Sequence, residues 1–351
     1  MRVGIIGAGT IAHYAHFPGY QKVPGVEIVA ISDIDAARAE TAKARWNIPA
    51  SYTDYRQMLK LGLDAVSICT PNYLHAEMTI AALEAGCHVL CEKPMAMNAG
   101  EAEQMVTAAR NAGKFLMIGF NNRFRADAMA LKKLIGQGLL GEIYFAKAGW
   151  VRRRGIPGHG NWFTTRAKSG GGALIDIGVH MLDLAVWLMG RPQPVAVMGA
   201  TYAKFGPRPG RGTGSWGEPV PGGIFDVDDL AGAMIRFTNG ATLLLEASWA
   251  AHIEKEHTFV HLLGTEAGAQ VVSPPAQAKV FTEKEGVSQD ITLVTPEQPS
   301  GAAHHAEIAA FVRCIKEGVP PESSGEDGLR IMRILDAIYR SAETGTAVRV
   351  D

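Results

Sequence analysis

The stretch Arg2-Val3-Gly4-Ile5-Ile6-Gly7-Ala8-Gly9-Thr10-Ile11-Ala12 decides the fold. Val3–Ile6 is a short, mostly β-branched run of the kind that makes a buried strand. It runs straight into Gly-x-Gly-x-x-Ala, and helical spacing follows from Ile11 toward Lys22. In that setting each small residue has a task. Gly7 permits the tight turn, Gly9 lets a pyrophosphate approach the backbone, and Ala12 allows close helix–sheet packing. The free N–H groups at the helix opening, around Thr10 and Ile11, then face the phosphates. Asp33 lies just past the next strand-like run, Glu27–Ser32. A carboxylate there accepts hydrogen bonds from ribose hydroxyls and repels a 2′-phosphate, so the expected cofactor is NAD and not NADP. A competing role for Asp33, capping the next helix, suits Asp35 better.

Outward from this turn the first third alternates strand and helix patterns. Asp64–Cys69, His88–Cys91 and Phe115–Gly119 read as further strands, and Ala36–Arg45, Leu74–Glu84 and Ala99–Asn111 as helices. Such alternation implies a parallel, doubly wound sheet whose strand C-termini share one edge. The pattern changes after about Asn121. A helix over about Ala126–Gln137, a strand near Glu142–Trp150 and a helix over Leu174–Met189 precede several strand-like segments. Asn239-Gly240 marks a tight hairpin among them. The expected architecture is α/β, with an N-terminal Rossmann domain over residues 1–121. An α+β domain with a large, mainly antiparallel open sheet takes residues 122–351, and its last helix is free to pack back on the first domain. Residues 205–223, rich in Gly and Pro, read as a long surface loop.

Composition narrows the partners. With 351 residues, 47% of them apolar, the chain can bury cores for two domains. A formal net charge of −1 offers no attraction to nucleic acid or to an anionic membrane. No apolar run reads as long enough to span a bilayer and no signal peptide is evident, so a cytoplasmic protein is expected. Cys69, Cys87, Cys91 and Cys314 read as reduced, buried thiols.

Two segments carry candidate chemistry. Cys91-Glu92-Lys93-Pro94 follows an apolar strand and so puts Lys93 at the ligand-binding edge. Gly170-Gly171-Gly172-Ala173-Leu174-Ile175-Asp176-Ile177-Gly178-Val179-His180 opens a helix, and the four-residue spacing puts Asp176 and His180 on one face. Hydride removal from a carbinol carbon needs a group to take the hydroxyl proton, and histidine suits that near neutral pH. A lysine ammonium can stabilise the developing alkoxide. His13 and His16 lack acidic or thiol companions, so no metal site is expected there. His252, His257, His261, His304 and His305 read as surface or interface residues. Arg152, Arg153 and Arg154 read as a solvated or ion-paired strand end more readily than as an anion site.

The chain resembles the glucose–fructose oxidoreductase, inositol dehydrogenase and MocA family along essentially its whole length. The resemblance rests on the Gly7–Ala12 turn, Thr70-Pro71-Asn72 with His75, Glu92-Lys93-Pro94, Gly119-Phe120-Asn121-Asn122-Arg123 and Asp176-x-Gly178-x-His180. It implies an NAD-dependent dehydrogenase acting on a secondary alcohol of a sugar, glycoside or cyclitol, assembled as a homodimer or homotetramer. Lys93, Asp176 and His180 would form the catalytic group. Thr70, Pro71, Asn72, His75, Glu92 and Lys93 would line the cofactor, and Arg123, His159, Asn161 and Trp162, with Asp176 and His180, would face a small polyhydroxylated substrate. Two other readings stand beside this one: a glycoside-cleaving enzyme that works by transient oxidation, and a non-catalytic NAD sensor.

Overall fold

The computed structural model describes residues 1–208 and 210–350. Pro209, within the loop 205–223, and the C-terminal Asp351 lie outside the described residues. The chain divides into two compact units. One comprises Met1–Phe124 with Gln298–Met332, the other Arg125–Glu297 with Arg333–Asp351.

The first unit is built on strands β1 (Arg2–Ile6), β2 (Glu27–Ser32), β3 (Ala50–Tyr52), β4 (Ala65–Ile68), β5 (His88–Cys91) and β6 (Leu116–Ile118). They form one parallel sheet in the order β3-β2-β1-β4-β5-β6. This is the doubly wound order in which the chain reverses direction between β1 and β4, the crevice where dinucleotides bind. The central strands are buried on both faces, which is why β1 and β4 read as apolar runs without alternation. The helices start where polar side chains satisfy their free N–H groups. Asp35 accepts from Ala37 and Arg38 N–H, and Asn98 accepts from Glu101 N–H while the Glu101 carboxylate receives Met97 N–H. The core joins Val3, Ile5, Ile31, Leu90 and Met117 to Phe17, Tyr20, Ile308 and Phe311. The last two come from the helix Ala302–Glu317, so this part of the chain's late sequence completes the first unit's core.

The second unit holds strands β7 (Ile143–Val151), β8 (Pro194–Tyr202), β9 (Leu230–Phe237), β10 (Thr242–Ser248), β11 (His257–Gly264), β12 (Ala267–Ser273), β13 (Gln277–Lys284), β14 (Val287–Leu293) and β15 (Val348–Arg349). Their order is β14-β13-β12-β11-β7-β10-β9-β8-β15. Every neighbouring pair is antiparallel except β7 with β10. Asn239-Gly240 makes the β9–β10 hairpin as expected, with Gly240 at φ +84°. The helix Val179–Leu188, buried at all ten positions, packs on β7, β10 and β11, and the helix Ala126–Gly136 packs on β13 and β14.

Cross-strand register exposes the sheet's other face. Met198, Met234, Leu244, Lys147, His261, Gln270, Lys279 and Thr292 stand side by side across eight strands. Met198, Met234 and Leu244 are 42%, 43% and 37% exposed, unusual for large apolar residues standing together. One expectation needs correction. The stretch Arg166–Leu188, helical apart from a bend at 170–172, is long and apolar enough to cross a membrane by length and composition, although no run of that length was expected. Burial of 89% of its apolar window explains the composition: it is wrapped by protein on all sides and needs no polar face.

Candidate functional site

In the first unit the candidate residues follow the ends of parallel strands: Gly7 after β1, Asp33 after β2, Thr70–Asn72 after β4, Glu92 and Lys93 after β5. Parallel pairing therefore gathers them on one edge. Gly7 sits at φ +98°, and a Cβ there would lie 2.6 Å from the Cys69 carbonyl oxygen, so only glycine lets β1 and β4 end so close together. Its N–H donates to Ser32 O at 2.7 Å. Asp33 braces the turn: one carboxylate oxygen accepts Ala8 N–H at 2.8 Å, the other Asp35 N–H at 2.9 Å. Asp35 is the helix cap, leaving Asp33 at the turn itself. Gly9 and Ile11 are half-buried and Thr10 exposed where the π-helical turn Ala12–His16 opens.

On the other side of the crevice, His75 ties two loops together. Its ring nitrogens meet Pro94 O at 2.7 Å and Thr70 O at 2.9 Å. Burial pulls this imidazole below the ordinary histidine value, against the two carbonyls that favour its charged form. Asn72 is buried and Pro71 half-buried beside it. The Thr70 hydroxyl oxygen is buried without a hydrogen-bond partner. An orphaned polar atom beside a glycine turn at a strand switch point is what a dinucleotide site presents before its ligand satisfies it. These residues fit NAD.

The second unit holds Asp176 and His180. The helix was expected to run unbroken, but its first turn, Leu174–Gly178, is π-wound and only Val179–Leu188 is α-helical. π-turns of this kind recur at functional sites. Asp176 is half-buried, and the Trp249 indole N–H donates to its carboxylate at 2.9 Å. His180 is buried with Trp150 beside it, ring centroids 5.6 Å apart. The N-terminus of this helix is moored by Asp228. That carboxylate accepts Gly172 N–H at 2.8 Å, Leu174 N–H at 2.9 Å and the Tyr339 hydroxyl at 2.9 Å. Burial pushes the Asp228 carboxyl up, and the three donors only partly offset it. Gly172 has no room for a side chain, since a Cβ would run into the Asp228 backbone carbonyl. Nothing in the sequence around Val227-Asp228-Asp229 signalled this anchor, because it works only through residues more than fifty positions away.

The loop expected to face substrate is firmly tied. His159 Nε2 pairs with Gly206 O at 2.8 Å and its ring stacks on Phe225. Asn161 accepts Phe163 N–H at 2.9 Å and donates to Glu218 O at 3.0 Å, and Trp162 stacks on Phe163. The segment 212–223 runs alongside it through Gly155 N–H to Gly212 O and Val220 N–H to His159 O, so the expected surface loop is half of a zipped pair. Arg152 lies over Trp150 and pairs with Glu256 at 3.4 Å, while Arg153 donates to Glu254 O, in line with the ion-paired reading.

Two expectations change with this geometry. Arg123 is 1% exposed; its guanidinium pairs with Asp327 at 2.7 Å and donates to Glu322 O. A guanidinium so enclosed holds the first unit together, and we leave it out of the substrate set. His304 is half-buried against Tyr14, not on the surface. All four cysteines are free and buried.

Comparison with known proteins gives this geometry a family. Residues 1–120 match the model described as "Oxidoreductase family, NAD-binding Rossmann fold", and residues 132–350 match "Oxidoreductase family, C-terminal alpha/beta domain". The chain belongs to the glucose–fructose oxidoreductase, inositol dehydrogenase and MocA family. It is an NAD-dependent oxidoreductase, as its sequence motifs led us to expect. Among curated members of the family, the D-glucoside 3-dehydrogenase of Escherichia coli (strain K12) is 36% identical over 352 residues, covering 100% of this chain and 97% of that one. The myo-inositol 2-dehydrogenase of Thermotoga maritima is 25% identical, covering 100% and 99%. Among solved family structures, levoglucosan dehydrogenase in complex with NADH and levoglucosan matches with a TM-score of 0.89 at 28% identity, covering 100% of this chain and 99% of that one.

Proposed function

We propose that this enzyme oxidises a secondary hydroxyl of a glucoside, or of a closely related sugar or cyclitol, at the expense of NAD. The observation that carries the proposal is the 36% identity, over the whole chain, to a D-glucoside 3-dehydrogenase. The first unit would bind the dinucleotide, and the second would bind substrate and self-associate. NAD supplies the hydride acceptor. His180 takes the hydroxyl proton, and Lys93 stabilises the charge that develops on the same oxygen. Asp176, its carboxylate held by the Trp249 indole, orients the hydroxyl. Thr70, Pro71, Asn72 and His75 would line the nicotinamide side, with Gly7, Gly9, Thr10, Ile11 and Asp33 around the adenosine and phosphates. His159, Asn161 and Trp162 would border the sugar. Four buried thiols without disulfides suit a reducing cytoplasm.

The test is a panel of glucosides, free sugars and inositols with NAD, followed by NADH absorbance. A glucoside or sugar should give stoichiometric NADH. His180→Ala should lose about 10²–10⁴-fold in turnover while still binding NADH. Near-normal turnover by His180→Ala would remove the proton-acceptor role. Glycoside cleavage without net NADH would move the enzyme to the transient-oxidation reading.

A further inference from the structure

Beneath Lys93 the first unit buries a chain of polar groups that the proposed reaction does not use. The His16 ring is 1% exposed. Its Nε2 contacts the Glu92 carboxylate at 2.9 Å, and its Nδ1 contacts Ser67 Oγ at 3.0 Å. Ser67 Oγ in turn meets the Tyr20 hydroxyl at 2.8 Å. Every bond is satisfied in one direction: Tyr20 donates to Ser67, Ser67 to His16 Nδ1, and His16 Nε2–H to Glu92. The chain thus ends in a single negative charge. The other Glu92 oxygen accepts the Lys93 backbone N–H at 3.2 Å. On the far side of Lys93, the Pro94 carbonyl is held by His75 at 2.7 Å. The lysine is therefore gripped on both flanks, and only the Glu92 flank carries charge.

We propose that His16 is a positioning residue: it holds the Glu92 carboxylate as a fixed buried anion at the root of Lys93, where that charge offsets the Lys93 ammonium. This rests on the assignment of Lys93 to the reaction. A buried carboxylate is costly unless hydrogen-bonded, and an uncompensated one takes up a proton. Burial pushes the Glu92 carboxyl up, and the His16 contact, together with His304 and Lys93, outweighs it and holds the group below the ordinary carboxylate value. The thiols of Cys69 and Cys91 lie near it. Burial brings His304 down to about 4, so it is neutral near pH 7. Because His75 still holds Pro94, deleting the His16 ring acts first on the charge of Glu92 and not on the path of the loop.

The test compares His16→Ala, His16→Gln, Glu92→Gln and the double variant His16→Ala/Glu92→Gln in glucoside oxidation with NAD. With its donor gone, Glu92 takes up a proton at higher pH. The acid limb of the kcat profile should therefore move up by about one pH unit in His16→Ala. His16→Gln keeps an N–H for the carboxylate and should restore the wild-type limb. The double variant should behave as Glu92→Gln alone, because the two residues act through one charge. The cofactor-free protein supplies an independent readout: wild type should lose melting temperature as pH falls through the carboxylate range, because its Glu92 is more acidic than in the unfolded chain, whereas His16→Ala, whose buried Glu92 takes up its proton more readily, should lose less over the same range. Profiles of unchanged shape, with His16→Ala and His16→Gln equally destabilised, would overturn the proposal and leave His16 a packing residue. Turnover by Lys93→Met would remove the Lys93 assignment and this proposal with it, and the flatter melting profile of His16→Ala would then show that the His16–Glu92 contact was real and the role of Lys93 was not.

Discussion

At the scale of single residues, Asp33 holds a contact that its place in the sequence does not reveal. It sits where a ribose-binding acid belongs, and its carboxylate also pins the Ala8 N–H of the glycine turn. The capping task falls to its neighbour Asp35. We propose that cofactor choice and turn stability are coupled at this one side chain. Wild-type enzyme should turn over faster with NAD than with NADP. Asp33→Ser combined with Ile34→Arg should move the preference toward NADP, since Ile34 is 94% exposed and its replacement disturbs no core. The same variant should lose about 1 kcal/mol of stability, because the Ala8 N–H keeps only a weaker partner. Kinetics with both cofactors and a urea melt check the two halves. Equal or better wild-type turnover with NADP would end the assignment of Asp33 to the ribose.

At the scale of the element, the helix that carries Asp176 and His180 owes its position to its first turn. Three donors converge on Asp228, and Gly172 packs against the backbone of that same residue. Gly178, the spacer between the two candidate catalytic residues, lies against Ala247 of β10, where a Cβ would sit 3.0 Å from that methyl group. Asp228→Ala would leave buried N–H groups unmet at a cost of about 3 kcal/mol, and Gly172→Ala would displace the turn outright. Both should lower kcat as well as stability, because the helix N-terminus carries Asp176 with it. Melting curves and turnover together check this. An Asp228→Ala variant with lowered stability but unchanged kcat would show that the helix holds its position without the anchor.

At the scale of the whole molecule, the open sheet of the second unit poses a covering problem. Its inner face is filled by the helices Val179–Leu188 and Ala126–Gly136, while Met198, Met234 and Leu244 stand exposed on the other. Burying that face against a second copy removes apolar area from water by a symmetric contact, and we propose a homodimer or homotetramer formed through it. Light scattering at micromolar concentration should report a dimer or larger species, and Met234→Glu with Leu244→Glu should shift it toward monomer. A stable wild-type monomer at that concentration would refute the assembly. His261 belongs to the same face, and burial with Lys147 beside it holds its ring below the ordinary histidine value.

The sequence by itself determined the parallel sheet, the glycine turn, the acid after β2, and the places of Lys93, Asp176 and His180 at element ends. These are local facts. A strand's apolar run, a turn's glycines and a helix's spacing act over a few residues, and strand direction then sorts the ends to one edge. What only the tertiary structure decided are pairings between distant positions. Arg123 reads as a substrate ligand until Asp327, 204 residues later, closes over it. His16 reads as a histidine without acidic companions until Ser67 and Glu92 enclose it. Asp228 carries no signal until Gly172 and Tyr339 meet it. A charged or polar side chain takes its role from the partner that satisfies it in a low-dielectric interior, and that partner is chosen by the packing of whole elements, not by the neighbours in the chain.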